Sequence, residues 1–165
     1  MDTFGPLPVT RLAVRAYRAL EWPPRPSWVE WAVQELVMGN DGPNLRILAG
    51  LSEPFDYFET VTVVDKTLAE LGMSQVAREE AVRSYVAELL LPVAESKKVS
   101  TPLLEALAEL CIALGYPADL MPFYLLHFAR MDLSTGGYQH YWDGANEENI
   151  DEIVCSQAEV WLAER

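Results

Sequence analysis

The chain has 165 residues and a formal net charge of −13, from 12 basic and 25 acidic side chains. Hydrophobic residues make up 50% and charged residues 22%, which predicts one globular domain over 1–165 and excludes a disordered chain. No apolar run approaches the ~20 residues that a membrane-spanning helix needs, and the acidic charge repels nucleic acid, so we expect neither a membrane nor a nucleic-acid partner.

The amino terminus, MDTFGPLPVTR, has an acid and two prolines where a secretory signal would have a basic flank and an apolar run. The two cysteines, Cys111 and Cys155, lie in apolar helical stripes, where a free thiol behaves as a small hydrophobe. We therefore expect a cytoplasmic protein with two buried free thiols.

The first predicted helix covers residues 9–20, with Thr10 as its cap. Its apolar residues share one side of the helix, and a row of arginines occupies the other side: Arg11, Arg15 and Arg18. We interpret this arginine row as a solvated face. The proline-rich WPPRP that follows predicts a stiff connector to the next helix.

The stretch at 27–51, SWVEWAVQELVMGNDGPNLRILAGL, predicts two helices joined by a tight corner. Ser27 and Glu30 have the spacing of a capping box, and Gly39 can adopt the positive φ that ends a helix. The helical period predicts that the apolar stripe of this hairpin is buried: Trp28, Leu36, Leu45 and Leu48.

Five further helices are predicted after this hairpin. One runs from residue 52 to Gly72 with Phe58 in its apolar stripe, although its β-branched run at 60–64 favours a strand. The next has Ser74 as its cap and should stop or kink near Pro92, and the others cover 101–114, 119–131 and 146–163. The sequence therefore predicts an all-α, single-domain bundle of seven or eight helices.

A loop at 134–144, STGGYQHYWDG, has no helical period and is long enough to indicate a function. It lies where acids dominate, because residues 101–165 contain Arg130 and Arg165 against eleven acids. Exposed aromatic rings supply rigid contact area, and carboxylates steer a basic protein partner. The predicted partner-binding surface comprises Tyr138, His140, Tyr141, Trp142, Asp143, Glu147, Glu148, Asp151 and Glu152. The alternatives are an acidic surface that only aids solubility and a loop that covers the core.

The same segment allows a metal site as an alternative. Asp143, Glu147 and Asp151 stand at i, i+4 and i+8, so a helix extended back to residue 143 would place them on one face, with His140 as a further ligand. Gly144 interrupts that face, and the helix dipole alone favours acids in a first turn. A metal-dependent enzyme or metal-binding protein therefore remains an alternative, and the main prediction includes no metal and no cofactor.

Catalytic motifs do not stand out in the sequence. It contains no GxSxG elbow, no GxxxxGK[ST] loop and no GxGxxG, and we interpret His127 as part of an aromatic helix face. The main prediction is a non-enzymatic interaction protein. A second alternative is a small-molecule sensor with an aromatic pocket between helices.

The run WVEWAVQELVMGNDGPNLRILAGLSEPFDYFE resembles a segment of small uncharacterised helical proteins of bacteria. Its shared features are Trp or Ala on one helix, Gly at the corner, LRILAGL, and an aromatic helix with a Glu, here Glu59. The resemblance covers the first half of the chain and assigns no site residue. Some such proteins resemble immunity or accessory proteins of bacterial toxins, so the resemblance implies a toxin-neutralising immunity protein with a toxin as its basic partner.

Overall fold

The computed structural model describes residues 6–165, and the expectation drawn from residues 1–5 of the amino terminus lies outside this range. Within it the chain forms eight helices and no strand, so the predicted all-α fold class is confirmed. None of these eight helices is long and apolar enough to cross a membrane. They are α1 (Arg11–Ala19), α2 (Pro26–Val37), α3 (Pro43–Ala49), α4 (Tyr57–Glu70), α5 (Arg78–Ser96), α6 (Thr101–Ala113), α7 (Met121–Ser134) and α8 (Ile150–Ala163).

The helices belong to two compact units, which are described separately. One unit is Pro8–Tyr85, and the other contains Val86–Arg165, so the boundary falls within α5. The single domain predicted over 1–165 stays a prediction.

The core of the Pro8–Tyr85 unit is built around the hairpin of α2 and α3. These two helices pack against each other, and α1 and α3 both pack on α4. Trp28, Leu45 and Leu48 are fully buried, as predicted, whereas Leu36 is half-buried at the edge. The buried cluster consists of Val14, Trp28, Trp31, Ala32, Leu45, Leu48, Val63, Val64 and Leu68.

The start of α2 corrects one prediction. The helix begins at Pro26, with Arg25 as the N-cap residue and no side-chain capping bond, so the capping box of Ser27 and Glu30 is wrong. Proline is common at the first position of a helix, because its φ is already helical and it has no N–H that would be left unpaired. The corner that follows α2 is as predicted, since Gly39 has a φ of +93°.

Two later helices also begin downstream of the predicted positions. Asp56 caps α4 by accepting a bond from the Glu59 amide at 2.8 Å, so this helix starts at residue 57 and not at residue 52. Likewise α5 starts at Arg78, four residues after the predicted cap Ser74. It also continues beyond Pro92, where the sequence predicted a stop or a kink, and ends at residue 96.

The β-branched run at 60–64 is helical, as predicted, because it lies within α4. Val61 and Val64 are buried there, so packing outweighs the local preference for a strand. The sequence placed Phe58 in the apolar stripe of this helix, and that prediction is wrong, because its side chain is 78% exposed.

The arginine row of α1 is not a solvated face, and this prediction is wrong. Arg11 donates from Nε and Nη2 to the two carboxylate oxygens of Glu35, at 2.8 and 2.7 Å. Arg18 donates in the same way to Asp65, at 2.8 and 3.1 Å. The two ion pairs tie α1 to α2 and to α4, so the row is part of the packing of the Pro8–Tyr85 unit.

In the Val86–Arg165 unit, α7 packs between α6 and α8. Ser100, one of two residues that the sequence offers as a cap beside Thr101, caps α6, because its Oγ accepts a bond from the Leu103 amide at 3.3 Å. Cys111 and Cys155 are buried free thiols, as predicted, and burial raises the pKa of each. The large buried side chains of these three helices include Leu104, Leu107, Leu110, Phe123, Leu126, Ile150, Val154 and Trp161.

Candidate partner-binding surface

The predicted loop is present between α7 and α8 and covers residues 135–149. It is longer than expected, because α8 starts at Ile150 and not at residue 146. Glu147 and Glu148 therefore belong to the loop, whereas Asp151 and Glu152 lie in the first turn of α8.

Gln139 holds the first part of this loop in one shape. Its Nε2 donates to the carbonyl oxygens of Trp142 and Ala145, at 2.6 and 3.0 Å. Its Oε1 accepts from the amides of Tyr141 and Trp142, at 3.0 and 2.9 Å. One side chain thus replaces four backbone contacts that a loop would otherwise make with water.

Two asparagines hold the second part of the loop. Asn146 Oδ1 accepts from the amides of Glu148 and Asn149, at 2.9 and 3.0 Å, and Asn149 Oδ1 accepts from the Asn146 amide at 2.7 Å. Asn149 also donates from Nδ2 to the Gly144 carbonyl at 2.9 Å. These bonds satisfy backbone groups in a non-helical arrangement, which explains why α8 begins after Asn149.

The aromatic side chains of the surface differ in exposure. Tyr138 is 90% exposed and Tyr141 is 43% exposed, and the ring of Tyr141 lies 5.7 Å from that of Phe128 on α7. His140 is exposed, but Trp142 is half-buried. Tyr138 and Tyr141 are therefore more exposed than Trp142 and offer more contact area.

Four of the five predicted carboxylates are exposed: Asp143, Glu147, Glu148 and Glu152. The fifth, Asp151, accepts from Arg130 Nε at 2.9 Å, and Arg130 Nη1 donates to Thr101 Oγ1 at 2.9 Å. Asp151 thus has an internal role that links α8 to α7.

Both arginines of residues 101–165 are in ion pairs within the chain. Arg130 pairs with Asp151, and Arg165 pairs with Asp119. Because this segment contains eleven acids, the two arginines and Lys97, which pairs with Glu159, offset only part of its negative charge. The acidic field of the segment is thus largely retained in the folded chain and attracts basic groups.

A cleft of about 540 Å³ lies at the centre of the loop. Its lining brings together Tyr138, Gln139, Glu147 and Glu148, and it also includes Leu133 of α7. His140, Tyr141, Trp142 and the other predicted carboxylates are not part of this lining. A Lys or Arg side chain entering the cleft would meet a tyrosine ring and two carboxylates.

The metal alternative depends on a helical face that does not form. Asp143 and Glu147 lie in the loop, because α8 begins only at Ile150, so they do not continue the face of Asp151. Throughout residues 6–165 we find no group of three or more His, Cys, Asp or Glu side chains that could hold a metal ion. The geometry expected for a site with His140 is therefore wrong.

His127 lies on the aromatic face of α7, as predicted. It is half-buried, and its ring lies 5.0 Å from that of Phe128 in an edge-on contact. Burial lowers its pKa, with a smaller opposing effect from Glu105. A neutral imidazole in an aromatic row suits packing.

The fold and the surface define the chain as an all-α helical bundle with an acidic, aromatic loop between its last two helices. Comparison of the chain with protein-family models, curated proteins and solved structures finds no match. The resemblance to immunity and accessory proteins therefore stays a prediction.

Proposed function

We propose that the chain is a non-enzymatic interaction protein that binds a basic protein partner through the loop between α7 and α8. The observation that supports this best is Tyr138, a large aromatic side chain that is 90% exposed beside the exposed Glu147 and Glu148. A lone exposed tyrosine is common, but here the ring and both carboxylates line one cleft.

The bracing of the loop supports the same proposal. Binding is weakened when a loop must be ordered in the complex, and the hydrogen bonds of Gln139, Asn146 and Asn149 have already ordered this one. The carboxylates would speed the approach of a basic partner, and Tyr138 would anchor it by filling a pocket on its surface. Each part of the surface thus has a separate role in the proposed complex.

The proposed partner is a basic toxin, in keeping with the sequence resemblance to immunity and accessory proteins. An acidic protein that covers the basic surface of a toxin neutralises it by occupying that surface, so no chemistry by this chain is required. The proposed setting is the cytoplasm.

Photo-crosslinking from position 138 tests the proposal in cells that produce the protein. A photoreactive phenylalanine analogue replaces Tyr138, and a matched control carries it at Phe58, an exposed aromatic position of α4. We expect one basic protein to be crosslinked from position 138 and not from position 58. Equal products from the two positions, or an acidic protein from position 138, would overturn the proposal.

Charge variants test the steering role separately. Glu147→Gln combined with Glu148→Gln should reduce capture of the crosslinked protein at low salt. The control, Glu105→Gln with Glu109→Gln, removes the same charge from exposed positions on α6 and should leave capture unchanged. Equal loss in both double variants would show that only net charge matters and that the loop is not the binding surface.

A further inference from the structure

A second cavity of about 540 Å³ lies in the Pro8–Tyr85 unit. It is bounded by α1, by the last turns of α4 and by the segment that follows Gly72. Its volume is within the range of sites for small molecules. One wall is apolar, formed by Ala19, Leu68, Ala69, Met73 and Val76, and the polar lining includes Arg15, Arg18 and Asp65.

The charged side chains that line the cavity carry a net charge of +1. Arg18 and Asp65 neutralise each other through two hydrogen bonds. Arg15 has no carboxylate within bonding distance among the described residues, although the chain has 25 acids against 12 bases. Its hydrogen bond is a long one, from Nη1 to the Ser74 carbonyl at 3.4 Å.

The Nε of Arg15 is buried, and within residues 6–165 it has no hydrogen-bond partner. In the same row of α1, Arg11 and Arg18 each use Nε and Nη2 to hold both oxygens of a carboxylate. A buried donor without a partner destabilises the folded chain, and a guanidinium fits a carboxylate through two parallel bonds. Arg15 therefore has the same chemistry as Arg11 and Arg18, but no described residue gives it the carboxylate partner that each of them has.

We propose that this cavity binds a small organic carboxylate, with the Arg15 guanidinium holding the carboxylate and the apolar wall covering the hydrocarbon part. The ligand is a monoanion, because the lining carries one net positive charge and the nearby Asp65 repels a second negative charge. In the proposed complex the guanidinium presents Nε and Nη2 to the ligand, which then satisfies the buried donor.

Nuclear magnetic resonance of the arginine Nε–H groups tests this site on the full, ¹⁵N-labelled chain. The probes are acetate, butyrate, hexanoate and benzoate, with hexan-1-ol and inorganic phosphate as controls. We expect the Arg15 Nε–H signal, assigned by its loss in Arg15→Gln, to shift saturably with a carboxylate probe, and more strongly with hexanoate than with acetate. Saturable shifts with none of the four, or equal binding of hexan-1-ol, would overturn the proposal.

Variants separate a binding role from a structural one. Arg15→Gln should weaken binding of the best carboxylate by at least about tenfold, the loss expected for hydrogen bonds to a charged group. Arg46→Gln removes an equal charge at an exposed position outside the cavity and should bind as the wild type does. If Arg15→Gln does not fold, the affinity of Arg15→Lys is measured instead. It should also be reduced, because lysine keeps the charge but loses the two-bond geometry. Wild-type affinity in the folded Arg15 variant would contradict the site.

Discussion

Arg11 and Glu35 form a two-bond ion pair that joins α1 to α2 inside the Pro8–Tyr85 unit. The Glu35 side chain is 3% exposed, and its Oε2 also accepts from Asn40 Nδ2 at 2.8 Å. The hydrogen bonds from Arg11 lower the pKa of Glu35 and outweigh the opposing effect of burial. The pair therefore keeps a charge in the core that would be costly without its partner.

Replacing Arg11 should destabilise the fold strongly. Arg11→Met removes the partner and leaves the Glu35 carboxylate buried, so we expect a loss of about 3 kcal/mol in the free energy of unfolding. Urea denaturation monitored by circular dichroism measures it. The control is Arg46→Met, which breaks the exposed pair with Asp41 and should cost less than about 1 kcal/mol. Equal losses in both variants would contradict the special role of the buried pair.

The same pair predicts a pH dependence with a defined sign. Because the pKa of Glu35 is lower in the folded chain than its ordinary value of 4.5, the unfolded chain takes up the proton first as the pH falls. The stabilisation is therefore complete well above 4.5 and is lost as the pH falls through the folded-state pKa. The difference in unfolding free energy between wild type and Glu35→Gln should shrink over that range, and a difference that stays constant with pH would contradict the lowered pKa.

Glu70, at the end of α4, caps α3 although it lies 26 residues after Asn44 in the sequence. Its Oε1 accepts from the Asn44 amide at 2.9 Å and its Oε2 from the Leu45 amide at 3.1 Å, while the N-cap residue Gly42 has no side chain to do so. We expect Glu70→Ala to cost about 1 kcal/mol of unfolding free energy, as for other helix caps, and Glu70→Gln to cost less. Chemical denaturation measures both.

Gly42 provides an independent test of the Glu70 cap. A Cβ at this position would collide with the Glu70 carboxylate, so Gly42→Ala should displace the cap. Because both substitutions remove the same contact, their effects on stability should not add in the double variant. Additive losses would show that Glu70 does not act through the α3 amides.

These contacts show which features of the fold are predictable from sequence. The caps of α1 and α6 are predictable because Thr10 and Ser100 bond to amides three residues later. The Glu70 cap and the Arg11–Glu35 pair join residues 24 or more positions apart, so no local pattern indicates them. The arginine row therefore looked solvated although its carboxylates come from other helices.

The loop shows the same limit at the candidate site. Its position is predictable from its glycines and its missing helical period, and so is its excess of acids. The shape of the loop is not predictable from the sequence, because it depends on which of several amide side chains bond to which backbone groups. The Asn146 and Asn149 spacing of three residues is the one local signal that could have placed the start of α8 correctly.

Removing the Gln139 side chain should loosen the loop without unfolding the chain. Gln139→Ala deletes four hydrogen bonds, so we expect faster amide hydrogen exchange at Tyr141 and Trp142. The loss in unfolding free energy should be about 1 kcal/mol or more. Tyr138→Ala, which removes an exposed ring next to it, is the matched control and should leave exchange at these amides unchanged. Wild-type exchange in Gln139→Ala would mean that the loop is held by other contacts.

Binding kinetics should separate the two parts of the proposed partner surface. Glu147→Gln with Glu148→Gln should slow association of the crosslinked partner and reduce its salt dependence, because these carboxylates act by steering. Tyr138→Ala should instead speed dissociation and weaken binding by about 2 kcal/mol, because an anchoring ring is lost. Surface plasmon resonance at several salt concentrations measures both rates.

Trp142→Ala shows whether the half-buried indole is a second anchor or a support for the loop. Trp142→Ala keeps the backbone groups that bond to Gln139 and removes only the half-buried indole, so as a support its loss should speed hydrogen exchange in the loop through lost packing. As an anchor it should speed dissociation by an amount that corresponds to about 2 kcal/mol and leave exchange unchanged. The exposure of Tyr138 leads us to expect the first pattern, with Tyr138→Ala having the larger direct effect on dissociation. If dissociation is unchanged in both variants, neither Tyr138 nor Trp142 anchors the partner.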